Sequence, residues 1–175
     1  MTAMLIGALP LMAQDKPQRV NSSGGKSPHE TTSVIVNGNR VTLTYGRPYM
    51  KGRTVWGGEL VPSGKVWRTG SDEATILITQ KPIVIGETTV PAGAYTLFTL
   101  MNADGSAKLI INKQIGQWGI GPGSYDEAQD LARIDMKKDT LETPVEEFTM
   151  AVTRDGQIKM SWDKTAYSVS FTVQK

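Results

Sequence analysis

Residues 166–173, Ala-Tyr-Ser-Val-Ser-Phe-Thr-Val, decide the fold class of this chain. Large apolar residues alternate there with small ones, and successive side chains of a β-strand point to opposite faces of its sheet. Tyr167, Phe171 and the two valines therefore share one face. The stretch predicts a strand with one buried side and one side nearer to solvent.

The same alternation recurs upstream, where turn residues interrupt it. Predicted strands at 34–36 and 40–45 flank Asn37-Gly38, a pair that supplies the positive φ angles of a tight hairpin turn. A second predicted hairpin joins 148–153 to 158–162. Further strands are predicted at 75–80, 83–85, 94–100, 108–112 and 131–136. About nine or ten short strands without crossover helices predict an all-β chain, a single antiparallel β-sandwich or barrel.

One segment has a helical signal. Ser124 and Glu127 have the spacing of a capping box, so residues 125–131 are predicted to form a short helix. The glycine-rich run at 119–123 before it lacks the Lys-Ser/Thr ending of a phosphate loop, and we interpret it as a turn.

Composition narrows the possible functions. A chain of 175 residues suits one domain, and 19 basic against 17 acidic residues leave a net charge of only +2. Nucleic-acid binders usually carry a larger, clustered basic excess, so no nucleic-acid partner is expected. The chain contains no cysteine, which excludes disulfides, thiol catalysis and Cys-ligated zinc.

The N-terminal residues predict the compartment. Residues 1–13 are uncharged and almost wholly apolar, too short to span a bilayer but suited to the core of a secretory signal. A buried N-terminal helix is the alternative. We expect a signal at 1–13, a flexible polar leader at 14–27 and one β domain at 28–175. The mature protein would be periplasmic or secreted, with no stable membrane insertion once the signal is cleaved.

Residues 46–70 break the strand pattern and concentrate positive charge. Residues 40–68 hold six basic side chains against one acidic, a local charge of +5, whereas the other 13 basic and 16 acidic residues give −3. Arginine beside aromatic rings suits an anionic or sugar-like ligand. The alternative is that these arginines bond the carbonyls of their own loop. The candidate ligand-binding residues are Tyr45, Arg47, Lys51, Arg53, Trp67, Arg68 and Glu73.

Several short motifs resemble a known family. They are Tyr45-Gly46-Arg47-Pro48, Val66-Trp67-Arg68-Thr69-Gly70, Asp72-Glu73-Ala74-Thr75 and Trp162-Asp163-Lys164. The chain resembles, from about residue 27 to its C-terminus, a family of exported bacterial proteins catalogued as domain of unknown function 2911. The resemblance implies an exported all-β domain, and it brings no activity, cofactor or site. The run at 119–123 is longer here than in the family pattern.

Catalytic candidates are few. His29 is the single histidine, so any histidine base must be this residue, with Glu30 beside it. One histidine cannot form the usual zinc set, and we predict no metal and no cofactor. Asp72 and Glu73 are adjacent, so on a strand they would face opposite ways; we interpret Glu73 as an acid pairing with Arg47, Arg53 or Arg68. Trp118 and Trp162 are expected in the core, with sugar stacking as the alternative.

These features favour a non-catalytic binding or accessory domain for an anionic or carbohydrate ligand. One alternative is a small exported hydrolase or lyase that uses His29 and Glu30 with the loop arginines. A third is a structural envelope protein whose loop makes protein contacts. Convergence of the polar side chains on one open cleft would favour a site.

Overall fold

The computed structural model describes residues 18–20 as backbone, and residues 27–119 and 123–174 in full. The predicted signal lies outside these residues. The described strands are β1 Gln18–Val20, β2 His29–Val36, β3 Asn39–Gly46, β4 Val66–Trp67, β5 Thr75–Thr79, β6 Ile83–Ile85, β7 Thr88–Val90, β8 Gly93–Met101, β9 Ala107–Asn112, β10 Asp130–Asp135, β11 Lys137–Val152 and β12 Gln157–Val173.

The strands form two antiparallel sheets that pack together as a β-sandwich. The larger sheet has the order β1-β2-β3-β5-β8-β9-β10, with β4 paired to β8, and the smaller has the order β11-β12-β6-β7. The predicted all-β class is therefore confirmed. Among the described residues, no helix is long and apolar enough to cross a membrane.

Alternating side chains of both sheets fill the space between them. Leu43, Leu77 and Leu97 come from the larger sheet, and Phe148 and Trp162 from the smaller; each is at most 1% exposed. Residues 46–70 also contribute to this core. The Trp67 ring stacks on that of Trp162 at a centroid distance of 6.0 Å, and Val55 and Val61 are buried. The aromatic residues of this long loop thus hold it against the sandwich.

Two local predictions need correction. The predicted strands at 158–162 and 166–173 are one continuous strand, β12, because Asp163 adopts a φ of 50° where the β11–β12 register shifts and the pairing then resumes. In place of the predicted helix there is one 3-10 turn, Glu127–Gln129. Its cap is Asp126, which accepts a hydrogen bond from the Ala128 amide at 3.0 Å, so the predicted Ser124 cap is wrong.

The predicted hairpin turn at Asn37-Gly38 is confirmed. These residues have φ values of 48° and 73°, the left-handed conformation that a two-residue hairpin requires. The turn fixes the register of β2 on β3, which pairs His29 with Gly46 and Glu30 with Tyr45. This register brings the candidate residues at 29 and 30 to the end of the sheet where the long loop begins.

Candidate functional site

The side chains of His29 and Glu30 point to opposite faces of the larger sheet, as the alternation of a strand requires. Glu30 faces the sandwich interior with Tyr45, and His29 faces outward with Thr31. Two polar groups therefore lie back to back at one end of the sheet.

The interior group, here called the Arg47 cluster, consists of Glu30, Tyr45, Arg47, Glu147 and Thr149. The Arg47 guanidinium lies 2.8 Å from Glu30 Oε2 and 3.2 Å from Glu147 Oε2. It also donates to Thr149 Oγ1 at 2.8 Å and to the Phe148 carbonyl at 3.1 Å. The Tyr45 hydroxyl donates to Glu30 Oε1 at 2.7 Å. These contacts tie the end of β3 to β11 in the opposite sheet.

The Arg47 cluster is almost closed to solvent. The side chains of Arg47 and Glu30 are 8% and 6% exposed. Burial, together with the hydrogen bond to Glu30, raises the pKa of the Tyr45 phenol far above its ordinary value, so this hydroxyl remains a neutral donor. The interactions of Arg47 are made within the fold, which is the arrangement of a structural tie between sheets.

The outward group is formed by His29 and the bend that carries Asp72 and Glu73. His29 Nε2 lies 2.9 Å from Glu73 Oε2 and 3.8 Å from Asp72 Oδ2. The His29 side chain is 9% exposed and that of Glu73 is 52% exposed. The prediction that the two acids face opposite ways is wrong, because they lie in a bend and both carboxylates approach the same imidazole. The predicted arginine partner of Glu73 is replaced by His29.

A cavity of about 330 Å³ opens beside this histidine. Such a volume falls at the lower end of small-molecule pockets. The exposed surface of its lining is mainly apolar, with a small share from hydroxyl, imidazole and carboxylate groups. The lining residues are His29, Thr31, Thr44, Tyr45, Gly46, Glu73, Ala74 and Ile76. Neither lysine nor arginine contributes to this lining.

The backbone beside the cavity is strained. Thr69 and Asp72 have φ values of 56° and 65°, a conformation that costs a non-glycine residue of the order of 1–3 kcal/mol. The Thr69 carbonyl accepts a hydrogen bond from Thr75 Oγ1 at 2.6 Å, which holds the segment in place. A β-carbon on Gly46 would lie 2.2 Å from the Ser71 carbonyl oxygen, so only glycine allows this close approach. This backbone conformation places the carboxylates of Asp72 and Glu73 near His29.

The remaining predicted ligand-binding residues lie outside the cavity lining. Lys51 is exposed, and its amide donates to Glu146 Oε1 at 2.9 Å. Arg53 is exposed and bonds the carbonyls of Met50 and Tyr49, as the alternative interpretation of the loop expected. Trp67 packs in the core against Phe148 and Trp162. From the candidate set, the cavity thus brings together His29 and Glu73, whereas Tyr45 contributes to its wall and directs its hydroxyl to Glu30 on the interior face.

Arg68 is half-buried beside the outward group. Its Nε donates to the Gly70 carbonyl at 3.3 Å, and its aliphatic stem lies directly under Gly119. Burial lowers the pKa of the Arg68 guanidinium below its ordinary value, while the carboxylates of Asp72 and Glu73 oppose that effect. Arg68 is therefore near the two acids, and its predicted contact with a ligand stays a prediction.

Thr31, Thr44 and Ile76 were missed by the sequence reasoning. Thr31 shares the face of His29 by simple alternation, and the Asn37-Gly38 hairpin sets Thr44 opposite Thr31. Both threonines could have been found from that register. Ile76 depends on the pairing of β3 with β5, which are separated by the long loop.

The two remaining candidate tryptophans differ in their exposure. Trp162 is in the core as expected, whereas Trp118 is 56% exposed, so its predicted burial is wrong. Trp118 lies in a loop at 113–119 rather than in a strand. In the part of the chain that the structure describes, no cluster of three or more metal-ligating side chains is present.

Comparison with known proteins identifies the family. The family model described as "Protein of unknown function (DUF2911)" matches residues 27–171, which include both polar groups and the cavity. No curated protein and no solved structure matches the chain.

Proposed function

The chain belongs to this family of unknown function, DUF2911, and we propose from the site alone that it is an exported binding domain whose cavity at His29 holds a small, neutral, sugar-like ligand. Export is supported by the apolar residues 1–13 at the start of the sequence. The observation that carries the proposed binding is the cavity, where the His29–Glu73 pair meets an apolar wall.

The lining chemistry selects the class of ligand. A sugar-like molecule presents hydroxyl groups that donate to carboxylates and accept from imidazole or threonine, together with apolar C–H surfaces. Glu73, His29 and the two threonines supply the polar partners, and Ile76 and Ala74 supply the apolar wall. The mainly apolar surface of the pocket therefore suits the C–H face of such a ligand, and its few polar groups are the partners for the ligand's hydroxyls.

An anionic ligand is less well supported. An anion would meet the Glu73 carboxylate in a cavity whose lining includes neither lysine nor arginine. Of the three loop arginines that were expected to bind it, Arg47 and Arg53 bond acids and carbonyls of the fold, and Arg68 lies outside the cavity lining. Electrostatic repulsion by a carboxylate disfavours a negative ligand, so the neutral sugar-like class is preferred.

The experiment is a binding screen on the mature, untagged chain. Isothermal titration with a panel of monosaccharides, phosphate, sulfate and small carboxylates should show binding by at least one neutral sugar. Glu73→Gln should weaken that binding tenfold or more, because a hydrogen bond to a charged group contributes about 1.5–3 kcal/mol. Glu87→Gln, an exposed acid in the β6–β7 turn, is the matched control and should leave the affinity unchanged.

Two results would contradict the proposal. Tight binding of an anion that depends on Arg68 and is indifferent to Glu73→Gln would move the site to the loop arginines. Absence of binding by every compound in the panel would contradict the binding hypothesis.

A second function, hydrolysis, is favoured by one observation. Glu73 bonds the His29 ring at 2.9 Å, an arrangement that can orient a histidine as a general base for an attacking water. Glu30, the predicted second catalytic group, lies on the other face of the sheet and bonds Tyr45 and Arg47. The test is turnover of sugar esters and glycosides. Activity lost in both Glu73→Gln and His29→Gln would support catalysis, and full activity in either would exclude this dyad.

A further inference from the structure

The outer face of the larger sheet continues beyond the cavity along β2, β3 and β5. Strand alternation places Ser33 and Ile35 in line with Thr31, Thr42 in line with Thr44, and Ile78 in line with Ile76. We call Ser33, Ile35, Thr42 and Ile78 the outer strip. Three neighbouring strands at about 4.8 Å spacing make this strip about 10 Å wide, and the cavity and the strip together extend about 20 Å, from His29 to Ile35.

The outer strip combines hydroxyl groups with exposed apolar side chains. The Thr42 hydroxyl donates to Ser33 Oγ at 3.0 Å, which repeats the Thr31–Thr44 hydroxyl contact of 3.0 Å in the cavity. Ile35 and Ile78 are 45% and 43% exposed. None of the four strip residues is itself charged, but the Arg40 guanidinium, opposite Ile35, donates to Ser33 Oγ at 3.4 Å. The strip is therefore an uncharged surface with hydrogen-bonding and apolar groups, and one positive charge lies at its far end.

A loop at 113–119 borders the same face. The Ala74 amide donates to the Gln117 carbonyl at 3.2 Å, and Gln117 Nε2 donates to Thr96 Oγ1 at 3.0 Å. Thr96 is the strand partner of Ile76 in the cavity wall. The loop carries Ile115 and Trp118, each 56% exposed. Trp118 thus follows directly after the residue that bonds the cavity wall.

All four large hydrophobic side chains that are strongly exposed in the described residues lie on this one side of the sandwich. They are Ile35 and Ile78 in the outer strip, and Ile115 and Trp118 in the bordering loop. Clustered exposed apolar groups mark interaction surfaces, whereas isolated ones need no explanation. Ile78 also lies on the same face of β5 as Ile76, which lines the cavity.

We propose that the outer strip and Trp118 bind further units of a neutral polysaccharide chain, one unit of which occupies the His29 cavity. This inference rests on the proposed function and extends it from a single sugar to a polymer. The surface favours that occupant because sugar rings expose hydroxyls at their edges and C–H groups on their faces, which match the hydroxyl pairs and isoleucines. A nucleic acid would need clustered basic residues, whereas Arg40 is the one basic residue on this part of the three strands.

The test measures how affinity depends on chain length. Cello- and chito-oligosaccharides of one to six units are titrated into the mature chain by calorimetry. We expect the hexamer of the preferred series to bind at least tenfold more tightly than its monosaccharide. Ile78→Lys and Trp118→Ala should each remove most of this gain and leave monosaccharide affinity unchanged, because neither residue lines the cavity. Thr89→Lys, an exposed threonine on β7 in the other sheet, is the control and should preserve the gain.

The outcomes separate this inference from the proposed function. Equal affinity for monomer and hexamer would overturn the extended surface and leave the cavity site intact. A length-dependent gain that survives both Ile78→Lys and Trp118→Ala would place the further units elsewhere and overturn the inference as well. A dimer in sedimentation that Ile78→Lys dissociates, without length dependence, would show that a second copy covers the strip. Absence of binding by any member of both series would contradict both proposals.

Discussion

Arg47 gives the sharpest test of the inference that the buried arginine of the long loop is structural. Arg47→Met removes the guanidinium from Glu30, Glu147, Thr149 and the Phe148 carbonyl at once. Breaking a buried pair from one side leaves an uncompensated buried charge and costs about 3–5 kcal/mol. We therefore expect the free energy of unfolding to fall by about that amount, measured in urea by tryptophan fluorescence with an unchanged m-value.

Arg53→Met is the matched control in the same loop. Arg53 is exposed and donates only to nearby carbonyls, so its loss should change the free energy of unfolding by no more than about 0.5 kcal/mol. Arg47→Lys keeps the charge but loses the planar fork, so its cost in free energy of unfolding should lie between those of Arg47→Met and Arg53→Met. This variant replaces Arg47→Met in the test if Arg47→Met does not fold. Equal costs for Arg47→Met and Arg53→Met, or a cost below about 1 kcal/mol for the former, would refute the structural role.

Three further outcomes are expected. Gly46→Ala should destabilise the fold by about 1–3 kcal/mol, because its β-carbon would overlap the Ser71 carbonyl; urea melts within about 0.5 kcal/mol of wild type would contradict that contact. The pKa of Tyr45 is raised by burial and by its bond to Glu30 above the ordinary value of 10.0, so the unfolded chain ionises first and stability should fall as pH rises above that value. Tyr45→Phe should flatten this fall in urea melts between about pH 8 and about pH 11, and an unchanged slope would argue against the buried phenol. Trp118→Phe should remove most of the acrylamide-quenchable fluorescence, since Trp118 is 56% exposed, Trp162 is 1% exposed, and Trp56 and Trp67 are partly buried against the core; unchanged quenching would place Trp118 inside.

The fold class could be predicted because its signals are local. The alternation at 166–173 and the Asn37-Gly38 turn each specify structure within a few residues, and both appear in the structure. The continuity of β12 was not predictable in the same way. Asp163 adopts a positive φ without a glycine, so the strand passes through what looks like a boundary. The prediction of a short helix was wrong for a related reason, because Asp126 caps a tighter 3-10 turn closer to β10.

The candidate site was only partly accessible from the sequence. His29, Tyr45 and Glu73 were identified as candidates, but their arrangement depends on contacts between distant residues. His29 and Glu73 are 44 positions apart, and they meet because Thr69 and Asp72 adopt a conformation that no local pattern indicates. Arginines beside aromatic residues are typical of an anion-binding site, which is why the loop was interpreted as one. Arg47 instead pairs with Glu30 on β2 and Glu147 on β11, and neither contact is visible in the local sequence.

The histidine itself provides the most direct measurement of the central claim, that a ligand binds in the cavity at His29. The chain contains one histidine, so an untagged, ¹⁵N-labelled sample gives one set of imidazole signals in a long-range ¹H–¹⁵N spectrum. Titration with the sugar that binds best should shift these signals in a saturable way, with the same affinity that calorimetry gives. Glu73→Gln should weaken both responses together. Saturable binding that leaves the His29 signals unmoved would contradict the account.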